Sequence, residues 1–145
     1  AIDKQSIIDS IFSGRGKVAK SIVNPNVFGY YDGLEEYPFN PEKAKELIEK
    51  SGVKNALFSL YVNDSPVRLQ VAQIIQANLK DVGIKVTLKT VSYETLLDMR
   101  DSGNFDLLIW NVLAANTGDP EKYLYENCSH QHILMSNIAY FPLGR

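Results

Sequence analysis

Strand-like and helix-like segments alternate in the middle of the chain, and this alternation limits the possible folds. Residues 57–62 and 105–110 are short apolar runs, typical of strands that are covered on both faces. Residues 84–89 alternate apolar and polar side chains, which predicts a strand with one wet face or a place near a sheet edge. Residues 66–82 and 93–102 carry apolar side chains at helical spacing. The order β-α-β-α-β predicts a mostly parallel α/β sheet with right-handed connections.

Three further helices are predicted outside this alternating region. Residues 4–12 form a short amphipathic pattern, and residues 41–51 form another that begins at the capping residue Asn40 and stops at Gly52. A short helix is also expected over residues 121–126. Residues 13–40 show few periodic signals and are predicted to be a long irregular segment, a feature that is usually functional or packs against something else.

Length and charge exclude several classes of protein. The 145 residues suffice for one domain with a real core, and we expect residues 1–145 to form a single domain. A net charge of −2 gives no electrostatic reason to expect a nucleic-acid partner, and no apolar run reaches the length of a membrane span. No set of Ser, His and Asp or of Cys and His stands out at converging positions, so the sequence does not predict an enzyme.

A candidate ligand site lies where the last predicted strand ends. If residues 57–62 lie between the other two strands, the carboxyl ends of the first and third strands flank a topological switch point, where open α/β sheets bind ligands. Asn63-Asp64 and Trp110-Asn111 then face the same crevice. The predicted ligand contacts combine an aromatic ring with the polar loop that follows it: Trp110, Asn111, Asn116, Thr117 and Asp119. These residues also have structural interpretations. Trp110 can be a core ring, Asn111 and Asn116 can be loop-forming residues, and Asp119 can be a cap before Pro120.

Several short motifs occur in an order and spacing that resemble one family. The sequence is similar to the extracytoplasmic solute-binding proteins of peptide, nickel and opine ABC importers (solute-binding protein family 5), from residue 1 to about residue 127. The motifs are Gly14-x-Gly16, Phe28-Gly-Tyr30, Tyr37-x-x-Asn40-Pro41, Arg68-x-x-x-Ala72, Gly83-Ile84, Gly103-x-Phe105-Asp106, Trp110 and Asp119-Pro120.

The resemblance implies a protein larger than this chain. Members of the family are two-lobed, and this sequence is similar to the C-terminal lobe, a three-layer α/β/α unit of type II periplasmic-binding-protein architecture. The expected partners are a small solute, the missing N-terminal lobe and the membrane permease of an ABC transporter, with no cofactor. The parent protein is expected in the periplasm or at the cell surface as a lipoprotein. Residues 129–145 depart from the family pattern.

The resemblance also bears on the solute. Peptide-binding relatives carry an aspartate that pairs with the peptide α-ammonium, and here the matching position, three residues before Asp119, holds Asn116. Because an amide cannot neutralise an ammonium, a metal chelate, an opine or a modified peptide stays open beside an ordinary peptide. Nickel-chelate binders carry a histidine after the Asp-Pro pair, a role that His132 fits. The spacing Cys128-x-His130-x-His132 is not that of a structural metal site.

The alternative interpretation is a small flavodoxin-like or receiver-like domain that binds a cofactor or phosphate at its strand ends. A receiver domain needs a phosphorylatable aspartate at the end of its third strand. Here that strand ends in Trp110, which argues against this alternative.

Overall fold

The computed structural model describes residues 1–20, 23, 25, 27–33, 37–110 and 139–140. Its helices are α1 (Lys4–Phe12), α2 (Pro41–Ser51), α3 (Pro66–Asp81) and α4 (Tyr93–Ser102). Its strands are β1 (Lys17–Val18), β2 (Leu57–Val62), β3 (Lys85–Thr90), β4 (Leu107–Leu108) and β5 (Ala139–Tyr140). The four helices and three strands predicted within residues 4–110 all form, whereas the helix predicted over residues 121–126 lies outside the described residues.

The predicted parallel sheet is confirmed, with strand order β3-β2-β4. β2 pairs in parallel with β3 along its whole length and with β4 through the pair Leu60 and Leu107. The first strand of the alternating region therefore lies between the second and third. β3 is an edge strand of the described sheet, and its Lys85, Thr87 and Lys89 are exposed. This agrees with the solvent-exposed face that the alternating pattern of β3 predicts.

The two crossover helices cover opposite faces of this sheet. Leu60 of β2 belongs to a buried cluster with Ile75 of α3 and Ile7 of α1. Leu108 of β4 pairs with the residue that follows Leu60, so its side chain points to the other face. There Leu108 and Leu96 of α4 are both buried. The result is the predicted three-layer α/β/α arrangement.

β4 is shorter than its apolar run predicts. The sequence indicates a strand over residues 105–110, but the ladder with β2 covers only Leu107–Leu108. Just before β4, the Asp106 side chain takes the place of a backbone carbonyl as the acceptor for an N–H group of β2. The Ser59 N–H donates to Oδ2 of Asp106 at 2.8 Å. β4 thus begins one residue later, opposite Leu60.

A second, antiparallel strand pair was not predicted. β1 and β5 pair through Lys17 with Tyr140 and through Val18 with Ala139. Each strand has two residues, too few to show any period, and each falls in a segment that the sequence describes as irregular. Within the described part of the chain, no helix is both long and apolar enough to cross a membrane.

α2 is a well-formed helix that buries none of its side chains. Asn40 accepts the Lys43 N–H at 2.8 Å, Pro41 follows it, and Gly52 ends the helix in the left-handed conformation at φ 68°. The sequence predicts an apolar stripe that includes Leu47. That side chain is 55% exposed, whereas Ala44 and Ile48 of the same stripe are partly buried.

Candidate functional site

The carboxyl ends of β2 and β4 lie at the same edge of the sheet. The two strands are parallel neighbours, and the Ile109 N–H still donates to the Tyr61 carbonyl oxygen at 2.9 Å just past β4. β2 continues into Asn63, and β4 continues into Trp110. Because β3 and β4 flank β2 on opposite sides, the gap between β2 and β4 is the predicted topological switch point.

Asn63 brings a buried polar atom without a partner to this edge. Within the described residues, its Oδ1 is the one buried side-chain nitrogen or oxygen atom that has no hydrogen-bond partner. A buried carbonyl oxygen without a donor costs about 1–3 kcal/mol, and native structures contain few of them. Asn63 Oδ1 is therefore a ready acceptor for an incoming N–H or O–H group.

Trp110 packs against α4. Its ring stacks on the Tyr93 ring with centroids 5.4 Å apart and an interplanar angle of 24°. The Arg100 guanidinium carbon lies 4.8 Å from the centroid of the same tryptophan ring. The Tyr93 side chain is half-exposed, whereas the Arg100 side chain is only 20% exposed. Trp110 is thus half-buried, with its ring oriented by two side chains of one helix.

The charged groups near this edge are paired with neighbours. Arg100 Nε donates to Asp101 Oδ1 at 2.7 Å, and a second guanidinium nitrogen approaches the same oxygen at 2.6 Å. Lys89 Nζ lies 5.2 Å from the Tyr61 ring centroid and donates to the Tyr61 hydroxyl at 3.3 Å. Asp64, directly after Asn63, is exposed. The described edge therefore carries no strong excess of one sign.

At the amino end of α4, the side chains of Ser92 and Glu94 accept backbone N–H groups of the first turn. Ser92 accepts the Thr95 N–H at 3.2 Å. The pKa of Glu94 is lowered because its carboxylate accepts its own backbone N–H and, second, a bond from Ser92. The N–H groups of Glu94 and Thr95 are thus already used within the helix cap.

Of the predicted ligand contacts, the structure describes Trp110 alone. Asn111, Asn116, Thr117 and Asp119 lie outside the described residues, as does the candidate metal ligand His132. In the described ranges, no three His, Cys, Asp or Glu residues cluster in a way that suits a metal ion.

Sequence reasoning missed the roles of Tyr93 and Arg100. The helical pattern of residues 93–102 indicates an apolar face for Tyr93 and gives Arg100 no particular role. The signal was their spacing: seven residues apart, they lie on the same side of a helix as the core residue Leu96.

A separate concavity of about 340 Å³ lies beside β1. Its described lining residues are Lys17, Val18, Lys20, Val23, Pro25, Tyr30 and Asp32. None of them belongs to the predicted site, so the concavity does not coincide with the crevice between β2 and β4.

Comparison with known proteins gives a consistent result. A family model described as bacterial extracellular solute-binding proteins, family 5 Middle, matches residues 1–134. The chain is 29% identical over 149 residues to heme-binding protein A of Haemophilus influenzae, covering 97% of this chain and 27% of that protein. It is 28% identical over 130 residues to the dipeptide-binding protein of Escherichia coli K12, covering 85% and 24%.

The same similarity appears among solved structures. The chain superposes on NikA from Brucella suis, solved in complex with Fe(III)-EDTA, with a TM-score of 0.77 and 25% identity. The superposition covers 87% of this chain and 28% of that one. The chain therefore spans about a quarter of the length of the relatives it matches.

Proposed function

The chain belongs to the bacterial extracellular solute-binding proteins of family 5, and we propose that it forms one lobe of the cleft in which the binding protein of an ABC importer holds a small solute. The family match favours this function over a flavodoxin-like or receiver-like domain. The proposed role is binding and delivery, without catalysis.

The unpaired Asn63 Oδ1 carries the proposal. A lobe that must close on a solute keeps polar groups at its rim, and these groups lack partners until the solute arrives. Asn63 fits this description because its acceptor is buried at the carboxyl end of the central strand, where open α/β sheets bind ligands. The neighbouring strand contributes Trp110 to the same edge.

The solute contacts proposed for this lobe extend beyond Trp110 into the residues that follow it. They are Asn111, Asn116, Thr117 and Asp119, with His132 as a candidate ligand for a metal chelate. The relatives include a heme-binding protein, a dipeptide-binding protein and NikA in complex with Fe(III)-EDTA. Asn116 supports a solute without a free α-ammonium group, such as a metal chelate, an opine or a modified peptide, over an ordinary peptide.

The second lobe and the membrane permease are the proposed protein partners. The relatives are about four times as long as this chain, which leaves ample polypeptide for another lobe. Exposed apolar side chains on and near α2, such as Leu47, Val53 and Leu57, offer surface for that polypeptide to cover. The corresponding location is outside the cytoplasm, in the periplasm or anchored at the cell surface.

The test is a titration of the protein that contains both proposed lobes. Calorimetry with a dipeptide, an opine, haem and nickel or iron chelates should reveal micromolar binding of at least one solute. If none binds at millimolar concentration, the proposal fails. Micromolar binding of an ordinary dipeptide would instead overturn the inference from Asn116 while leaving the transport function intact.

Asn63→Leu then tests the observation on which the proposal depends. The substitution keeps the approximate volume and removes the acceptor, so we expect affinity for the bound solute to fall by about 1 kcal/mol, or about fivefold. Stability should stay level or rise, because a buried unpaired oxygen is removed. Asp64→Asn, at the exposed neighbour, serves as the control. A loss of stability without a loss of affinity would show that Asn63 has a purely structural partner.

A further inference from the structure

We propose that Tyr93 and Arg100 are positioning residues that hold the Trp110 ring on α4 and thereby fix where the chain leaves β4 at the solute cleft. The role at a cleft depends on the function proposed above. The packing of the three side chains does not, since it consists of contacts within this chain.

The spacing along α4 suits the two contacts. Tyr93 and Arg100 are seven residues apart, about two helical turns or about 10.5 Å of rise, and lie on one side of the helix. Leu96 lies between them on that side and is fully buried. The indole contacts both ends of this stripe, at 5.4 Å from the Tyr93 ring and 4.8 Å from the Arg100 guanidinium carbon. One rigid helix thus fixes the ring at two points.

Arg100 suits this role better than a lysine would. Its guanidinium is planar, so it can donate hydrogen bonds along its edge while its face rests on an aromatic ring. The donors on that edge reach Asp101 Oδ1 at 2.7 and 2.6 Å. Asp101 therefore holds the guanidinium in place, and the low exposure of the Arg100 side chain, 20%, strengthens its contact with the ring.

Such positioning is needed because β4 is held weakly by its backbone. Its ladder with β2 covers two residues, and the last backbone bond to β2 comes from Ile109. Trp110 follows directly, and the proposed solute contacts begin one residue later, at Asn111. Side-chain packing on α4 therefore adds to the few backbone bonds that hold the chain at Trp110.

The first experiment uses the fluorescence of the 145-residue chain, in which Trp110 is the only tryptophan. Tyr93→Ala and Arg100→Ala should each shift the emission maximum to longer wavelength and raise the acrylamide quenching constant. Tyr93→Phe retains the stacked ring and should restore both values. Asp101→Ala matches the loss of the ion pair but keeps the guanidinium, so its shift should be smaller than that of Arg100→Ala. Circular dichroism checks that each variant folds. Unchanged emission and quenching in folded Tyr93→Ala and Arg100→Ala would overturn the proposal.

The second experiment measures solute affinity in the two-lobed protein. Tyr93→Ala and Arg100→Ala should weaken binding about three- to tenfold, and Tyr93→Phe should recover most of the loss. Variants that change the fluorescence but bind as tightly as the parent would overturn the positioning role. If the parent protein binds no solute, the proposed function fails and the role at a cleft fails with it, whereas the fluorescence result still reports the packing on α4.

Discussion

Asp106 is expected to fix where β4 begins, and Asp106→Ala tests this. Its Oδ2 accepts the Ser59 N–H at 2.8 Å, one residue before the ladder between β2 and β4 starts. A hydrogen bond to a charged group contributes about 1.5–3 kcal/mol when buried, and this one is exposed, so we expect a loss of about 1–2 kcal/mol. For a chain of this size, that corresponds to a fall of roughly 3–8 °C in the unfolding temperature.

Urea unfolding followed by circular dichroism and by Trp110 fluorescence measures this loss. Asp106→Asn is the matched control, because its amide oxygen can still accept the Ser59 N–H without the negative charge. It should lose less than half as much stability as Asp106→Ala. In Asp106→Ala the Trp110 emission should also shift, since Trp110 lies two residues after the end of β4. An unchanged unfolding midpoint in Asp106→Ala, or an equal loss in both variants, would refute the reasoning.

Two further predictions concern helix ends and surface charges. The pKa of Glu46 is lowered from 4.5 by its bond to Lys50 and then by Lys43, so its contribution to stability is present above that pH and is lost as the pH falls below it. Glu46→Gln should therefore be less stable than the parent at about pH 7 and equally stable at about pH 3 in paired urea titrations; a constant difference would contradict this. Ser92→Ala removes the cap on the Thr95 N–H and should cost about 1 kcal/mol by thermal melting, while Ser92→Asp retains a cap and stays near the parent. Equal melting temperatures for the two variants would argue against the cap.

The fold was predictable where the sequence pattern is local. The cap at Asn40 and the terminator Gly52 match the helix ends that the structure shows. The spacing of the elements does not fix the strand order, and the structure shows that the first strand of the alternating region lies in the middle. The start of β4 was not predictable, since it depends on a bond between Asp106 and Ser59, 47 residues apart. The pairing of β1 with β5 joins segments still farther apart, through strands of two residues.

The edge of the sheet at which the candidate residues lie was easier to predict than the contacts that they make. Parallel strands bring Asn63 and Trp110 to one edge whatever their side chains do. The partners of Trp110 depend instead on how a ring at the end of β4 meets a helix that precedes it in the chain. A tyrosine at this position in the helical pattern is typical of a core residue, and an arginine is typical of a surface residue. Their shared role becomes visible only when the indole lies against both.

The described helices differ in how much of their surface is buried. α3 buries four of its residues in the cluster that includes Leu60 of the sheet, and α4 buries Leu96. α2 buries none, although Leu47 and its neighbours form an apolar stripe. A helix of 11 residues is marginal in water without tertiary packing, even when both ends are capped. The sheet, α1, α3 and α4 thus supply the buried residues of the described fold, whereas α2 keeps an exposed apolar surface that the proposed second lobe would cover. Stability measured on this chain alone should therefore report mainly on the sheet and on α1, α3 and α4, and α2 should gain protection from hydrogen exchange in the protein that contains both proposed lobes.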